Sequence, residues 1–443
     1  MGRILFSPLG DTDPVRGCYD GAMLHILRHY RPERVVLFYT REMAEKEQAD
    51  HRYTRAVRRT APHCSMEEIF TGIQDAHLYE SFSRILPQAM QKLREENPDK
   101  EILINLSSGT PQMKTVLAML ASDMENCTGI QVSAPARRSN RANEATRDTE
   151  DIDALLENNF DEEEGAENRC DEPPLSIFRF YAERSRIRSL IETYEYAAAL
   201  KIARRSSLMP PAAVTLLRHA EKRSALCTEE AKNVLREYGG KKLFPFTGKM
   251  EALVEYFLVM QIDQETGRLS NLMLRMIPFL YTFFKEYAAK NAAIPIRSLC
   301  EMRSGVPWLM RERLVSKEKD LLGDLDREFP YGYKDQPLSF YLLSLCCAYA
   351  GKAQRVHDTN LHVSMMAELE RIAEVRKLRN ETAHEMVNVT EDRFHQSVGM
   401  GSQEAMSCFS RMLALIYGDK VRVMRSVYRD LNVWIGQALE VHE

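Results

Sequence analysis

Several familiar signatures are missing from this 443-residue chain, and each absence removes a class of function. The longest apolar stretch, 338–350, is well short of the roughly 20 residues a membrane helix needs. The nine cysteines form no Cys-x-x-Cys pair and are odd in number, which argues against a zinc ribbon or a disulfide framework. The opening Met1-Gly-Arg-Ile-Leu-Phe reads straight into a strand with no signal peptide, so a cytoplasmic protein is expected. A formal net charge of -4 excludes coating of nucleic acid by bulk electrostatics, though not a local basic cleft. No Gly-x-Gly-x-x-Gly follows the first strand-like run. Lys114-Thr115 resembles the end of a P-loop, but Met113 stands where its second glycine is required. A dinucleotide oxidoreductase and a P-loop ATPase are therefore both disfavoured. His25 and His29 lie one helical turn apart, but no third ligand accompanies them at matching spacing, so no metal site is expected.

What is present divides into two halves. Residues 3–135 alternate strand-like segments (3–9, 34–40, 101–106, 129–133) with helix-like ones (15–30, 42–59, 78–96, 111–126). That alternation predicts a mostly parallel sheet in a Rossmann-like layered domain. Such sheets take ligands beyond the carboxyl ends of their strands. Two loops fall there: Ser7-Pro-Leu-Gly-Asp-Thr-Asp-Pro14 and Asn105-Leu-Ser-Ser-Gly-Thr-Pro-Gln-Met113. Each contains a capping residue followed by proline, Asp13-Pro14 and Thr110-Pro111, which predicts helix N-termini whose N–H groups face a ligand. Ser107, Ser108, Thr110 and Gln112 add neutral donors. Asp11 and Asp13 suit sugars or bases better than phosphates. Well-capped turns without a ligand are the bland alternative.

A basic stretch (Arg137, Arg138, Arg141, Arg147) then gives way to an acidic tract running to Asp171-Glu172 and closed by Pro173-Pro174. It reads as a solvated linker or excursion containing the domain boundary. From 175 onward the pattern is almost wholly helical. Arg297, Arg303, Arg311 and Arg313 gather around Trp308, either a nucleic-acid surface or a solvated face.

The richest stretch is Glu374-Val-Arg-Lys-Leu-Arg-Asn-Glu-Thr-Ala-His384. An arginine holds phosphate oxygens bidentately, and a histidine titrating near neutrality moves protons, so Arg379 with His384 suits metal-free phosphodiester chemistry. Spacing alone is weak, because Arg58 and His63 repeat it with Pro62 interrupting. The context is stronger. Met365, Leu369, Ile372 and Val375 follow helical spacing over 362–379, and Arg379 falls within roughly 20° of Ile372 on that helix. A charge leaving an apolar stripe needs a partner, a second subunit or a ligand.

Three passages together carry a resemblance: Ile4-Leu-Phe-Ser-Pro-Leu-Gly-Asp-Thr-Asp-Pro14, Ile104-Asn-Leu-Ser-Ser-Gly-Thr-Pro-Gln-Met113 and Arg379-Asn-Glu-Thr-Ala-His384. The chain resembles the Csm-type accessory ribonucleases of type III CRISPR systems, which join a CARF sensor to a HEPN nuclease. The resemblance implies an α/β plus all-α fold: a Rossmann-like CARF domain over 1–172, a helical connector over 173–240 and an all-helical HEPN domain over 241–443. It implies a homodimer whose activator, a cyclic oligoadenylate made by a type III effector, lies on Gly10, Asp11, Thr12, Asp13, Ser107, Ser108, Gly109, Thr110, Pro111 and Gln112. It implies cleavage of single-stranded RNA without metal or cofactor, by 2′-OH attack leaving 2′,3′-cyclic phosphate and 5′-OH ends. His384 would act as general base or acid, Arg379 would stabilise phosphate charge, and Asn380 would orient one of them. Slow cleavage of the activator at Thr110 and Gln112 is a further implication. A nucleotide-sensing dimer that holds RNA without cutting it remains the alternative.

Overall fold

In the computed structural model, residues 2–135, 151–237, 244, 246–372, 389–418, 421 and 424–440 are described here. The chain divides into two compact units: residues 1–185 with 206–208, and residues 186–205 with 209–443.

The first unit is built on a six-stranded sheet in the order β3-β2-β1-β4-β5-β6. Its strands are β1 (Arg3–Pro8), β2 (Arg34–Tyr39), β3 (Ser65–Phe70), β4 (Glu101–Asn105), β5 (Cys127–Val132) and the short β6 (Cys170–Asp171). All pairs are parallel except β5 with β6. Side chains alternate across the sheet. Leu5, Leu37 and Leu103 face the layer of α1 (Ala22–Tyr30), α2 (Arg41–Asp50) and α3 (Arg52–Thr60), in a core including Leu24, Leu27 and Val57. Ile4, Phe6, Val36, Phe38 and Ile104 face α4 (Ile85–Glu96) and α5 (Pro111–Asp123), through Leu86, Met90 and Leu117. Burial on both faces is why β1, β2 and β4 are continuous apolar runs.

Several details depart from the sequence expectation, among them the 78–96 segment, whose α-helix α4 begins only at Ile85 after a short 3-10 turn at Glu80–Phe82. The segment expected as a helix from residue 15 begins only at Ala22, because residues 15–20 form a tight loop in which Arg16 and Tyr19 exchange backbone hydrogen bonds. The expected 42–59 helix is two helices. His51 adopts φ +54, and the buried Glu47 carboxylate accepts the N–H of Tyr53 (2.9 Å), restarting the chain as α3. Strand β3 has no counterpart in the sequence reading. It lies at the sheet edge, and no residue of its Ser-Met-Glu-Glu-Ile-Phe is fully buried. Finally, the acidic tract from residue 151 is not free linker. It forms α6 (Ile152–Glu157) and β6, and buries Asn159, Asp161 and Arg169.

The second unit is helical, running from the latter part of α7 (Ser176–Glu192) through α8 (Tyr196–Ala203), α9 (Pro211–Ser224), α10 (Thr228–Glu237), α11 (Gly248–Glu265) and α12 (Leu269–Asn291) to helices Phe340–Lys352, Thr359–Arg371, Glu391–Val398, Ser402–Tyr417 and Val427–Ala438. Its core includes Phe257, Phe279, Phe283 and Phe409, whose rings pack against one another. The exception to an all-helical reading is a three-stranded antiparallel sheet of β7 (Cys300–Arg303), β8 (Val306–Leu309) and β9 (Gln336–Pro337), flanked by the short helices Ile296–Leu299 and Arg311–Lys317. Among the described residues no helix is long and apolar enough to cross a membrane.

Candidate functional site

Strand order reverses between β1 and β4: β2 and β3 lie on one side, β5 and β6 on the other. The loops leaving β1 and β4 consequently flank one crevice, the place where open α/β sheets hold ligands. The backbones of these loops touch. A Cβ on Gly10 would lie 2.7 Å from the Gly109 amide nitrogen, so the crevice floor requires glycine at residue 10. Gly109 itself has φ +79, a conformation that side chains other than glycine's rarely adopt.

Asn105, fully buried at the end of β4, organises the second loop. Its Oδ1 accepts the N–H groups of Ser107 (2.9 Å) and Ser108 (3.2 Å). Its Nδ2 donates to Ser7 Oγ at the end of β1 (2.9 Å) and to Ser108 Oγ (2.7 Å). One side chain thereby pins both strand ends. Thr110 caps α5, its hydroxyl accepting the Met113 N–H, and Pro111 occupies the first helical position as expected.

The first loop is arranged differently from the sequence expectation. Pro14 starts no helix. Gly21 is the N-cap of α1, and the Asp13 carboxylate reaches it from a distance, accepting Met23 N–H (3.3 Å) as well as Gly10 N–H (3.1 Å). Burial pushes the Asp13 carboxyl up to about 6, against the opposing pull of Ser108, these two N–H groups and Lys114. Asp13 and Ser108 are 2% and 1% exposed, so their side chains shape the loops from inside. Ser107 Oγ accepts Val132 N–H (2.7 Å) and ties the second loop to β5. Asp11 is exposed and pairs with Lys46 of α2 (3.0 Å). Gly10, Thr12, Gly109, Thr110 and Gln112 are half-buried and Pro111 is exposed along the crevice. Sequence reasoning singled out the loop but passed over Asn105 as its organiser. Its signal was a lone amide at the end of an otherwise apolar strand. Arg379, Asn380 and His384 lie outside the described residues.

His25 has companions that spacing could not show. Asp20, His25 and Asp161 bring ligand-type atoms within 4.8 Å of one another, the residues drawn together from 141 positions apart. A cation already fills that role. Arg169 bonds Asp161 (2.6 Å) and Arg28 bonds both oxygens of Asp20 (2.8 and 3.1 Å). Burial would raise the Asp20 carboxyl, but His25 and Arg28 bring it down to about 2. His25 Nε2 accepts the Arg169 N–H (3.0 Å), which leaves its proton on Nδ1. The cluster fits an ion-paired clasp holding the 151–171 excursion onto α1, and a metal would have to displace a guanidinium.

Comparison with known proteins accords with this layout. Three family models match in sequence order: the Cas_Csm6 CARF domain over 66–170, the Csm6 6H domain over 173–224 and the Cas_Csm6 HEPN domain over 243–436. The chain is 26% identical over 444 residues to the CRISPR system endoribonuclease Csm6 of Enterococcus italicus, covering 94% of this chain and 95% of that protein. It is 39% identical over 225 residues to the CRISPR system endoribonuclease Csm6 of Mycobacterium tuberculosis, a match spanning 50% of this chain and only 54% of that relative. The solved structure of Enterococcus italicus Csm6 bound to cyclic hexa-2′-fluoro-hexa-dAMP has a TM-score of 0.68 at 21% identity, over 98% of this chain and 100% of that one. With its sheet domain, helical connector and helical C-terminal region matched in turn, the chain belongs to the Csm6 family of CRISPR-associated endoribonucleases.

Proposed function

We propose that this chain is a single-stranded RNA endonuclease activated by cyclic oligoadenylate. The observation that carries the sensing half is the crevice between the β1 and β4 loops. Its floor is two glycines in contact, and one wall is the Thr110-capped N-terminus of α5. Close backbone approach, free N–H groups and neutral hydroxyl and amide side chains suit the phosphates and bases of a cyclic nucleotide. The Enterococcus relative, solved with a cyclic hexanucleotide analogue, supports the same ligand class here. A ring of repeated units fits two copies of the crevice related by a two-fold axis, hence a homodimer.

The cleavage half rests on Arg379 and His384 in the HEPN-matched region. Arg379 would hold the scissile phosphate and stabilise its developing charge. His384 would take the proton from the ribose 2′-OH or give one to the leaving 5′-oxygen. Asn380 would orient one of the two. The nucleophile belongs to the substrate, so DNA is not cut and no metal is required. Activator binding shifts the equilibrium toward the cleaving arrangement by the difference in its affinity for the two states. Thr110 and Gln112, at the mouth of the activator crevice, would carry any slow cleavage of the ring.

The test is cleavage of a fluorescent single-stranded RNA in EDTA, with cyclic tetra-adenylate or cyclic hexa-adenylate. One ring size should accelerate cleavage strongly, leaving 2′,3′-cyclic phosphate ends. Equal rates with both rings and with none, or loss of cleavage in EDTA, would overturn the proposal.

A further inference from the structure

The arginines around Trp308 separate into two kinds. Arg303 lies over the Trp308 ring (5.1 Å) but is compensated by Glu301 (3.6 Å) and Asp335 (3.9 Å). Arg311 is held bidentately by Asp326. The cations around the start of β7 are different. Arg313 donates to the Cys300 carbonyl, and Lys317 reaches the Ser298 carbonyl (3.5 Å). Lys285 of α12 lies over the Tyr281 ring (5.8 Å) and acts with Arg313 on the Cys300 thiol, lowering a pKa that burial raises. Arg297 stands exposed on the helix just before β7, and Lys285 and Lys317 are exposed too. Among the described residues none of these four cations has a carboxylate partner, in a chain whose net charge is -4.

Four uncompensated cations repel one another, and the fold gathers them around one strand end beside a half-buried tyrosine ring. A polyanion with stackable bases is the complement of that surface: phosphates for Lys285, Arg297, Arg313 and Lys317, and a base for Tyr281. We propose that the basic face at the start of β7 is an RNA-tracking surface that holds the single-stranded substrate by its backbone, using side chains other than the Arg379 and His384 proposed to cut it. This rests on the reading of the chain as an RNA nuclease. An acidic protein segment would also meet the charge, but the aromatic ring beside the cations favours RNA.

The experiment is binding of a fluorescein-labelled 2′-fluoro single-stranded RNA, which has no 2′-OH to attack, across a salt series. It compares the full-length protein with a Lys285→Glu/Arg297→Glu/Lys317→Glu variant. With single strands losing about 0.7 in log–log salt slope per phosphate contact, the variant should bind with a slope smaller by about 2. Its affinity at moderate salt should fall at least roughly tenfold. A Lys→Gln/Arg→Gln version should fall between the two. Unchanged cyclic oligoadenylate binding and thermal midpoint show that the variants are folded. Equal affinity and slope in the parent and the Glu variant would overturn the surface while leaving the nuclease reading intact. Failure of the parent itself to bind RNA would overturn both.

Discussion

Replacing Asn105 with alanine should loosen the activator loop without unfolding the sheet, and the size of the effect follows from its four hydrogen bonds. The Ser7 and Ser108 hydroxyls, which accept from Asn105 Nδ2, lose a donor there but can turn to other partners; Ser7 Oγ already donates to the Pro8 carbonyl (3.0 Å). The Ser107 and Ser108 N–H groups cannot turn. Ser107 is half-buried and reaches water, whereas Ser108 is 1% exposed and its N–H would be left without an acceptor. An orphaned buried amide costs about 1–3 kcal/mol, and the vacated side-chain volume adds to it. A loss near 3 kcal/mol, concentrated in 105–113, is therefore expected. By hydrogen exchange the amides of Ser107 and Ser108 should exchange roughly a hundredfold faster, since about 1.4 kcal/mol corresponds to tenfold. Cyclic oligoadenylate affinity should fall with them. Unchanged protection of both amides in Asn105→Ala would refute the assignment of Asn105 as the organiser of the crevice.

Three further perturbations test other parts of the structure. Gly10→Ala places a Cβ 2.7 Å from the Gly109 backbone nitrogen and should raise the half-maximal activator concentration by roughly tenfold or more; an unchanged activation curve would remove the close loop contact from the ligand site. Asp13 has a folded-state carboxyl near 6 against an ordinary value of 3.8, so its contribution to stability is present at low pH and is lost as pH rises through 6. Measured against Asp13→Asn, the parent should gain about 1.4 kcal/mol in unfolding free energy between roughly pH 7.5 and pH 5, and a pH-independent difference would contradict its burial. Arg223 of α9 and Glu255 of α11 form a buried pair (2.8 and 2.6 Å) joining the connector helices to the C-terminal helices. Arg223→Ala should cost about 3–5 kcal/mol by denaturant unfolding, with Arg223→Met/Glu255→Leu recovering most of it.

How much of this could be read from residues alone depended on burial. Strands β1, β2 and β4 were legible because helices cover both faces and leave unbroken apolar runs. Edge strand β3 was not, since Ser65, Glu67 and Glu68 interrupt any such run. The break at His51 was hidden for a related reason. Residues 42–59 have uniform helical character, and the stop is made by Glu47 capping Tyr53 across the turn, a contact that appears only in three dimensions. The acidic excursion misled by composition: its charges look solvated until Asp161 meets Arg169 and Asn159 meets Asp20. At the site, Thr110-Pro111 announced a capped helix because both signals are local. Asp13-Pro14 carried the same local signal, but the Asp13 side chain caps a helix that begins at Ala22. The ribbon of β7 and β8 was too short to stand out against its helical surroundings, and only its arginines and Trp308 drew notice.

Under the proposed function, one chain senses a cyclic oligoadenylate with its sheet domain and cuts RNA with Arg379 and His384. The most direct measurement follows both activities in the same samples of the full-length parent, Arg379→Ala and His384→Ala: activator affinity by titration, and RNA cleavage at saturating activator. All three proteins should bind the activator equally, while the two variants lose cleavage by several orders of magnitude. Full cleavage by His384→Ala at saturating activator would contradict the proposed function.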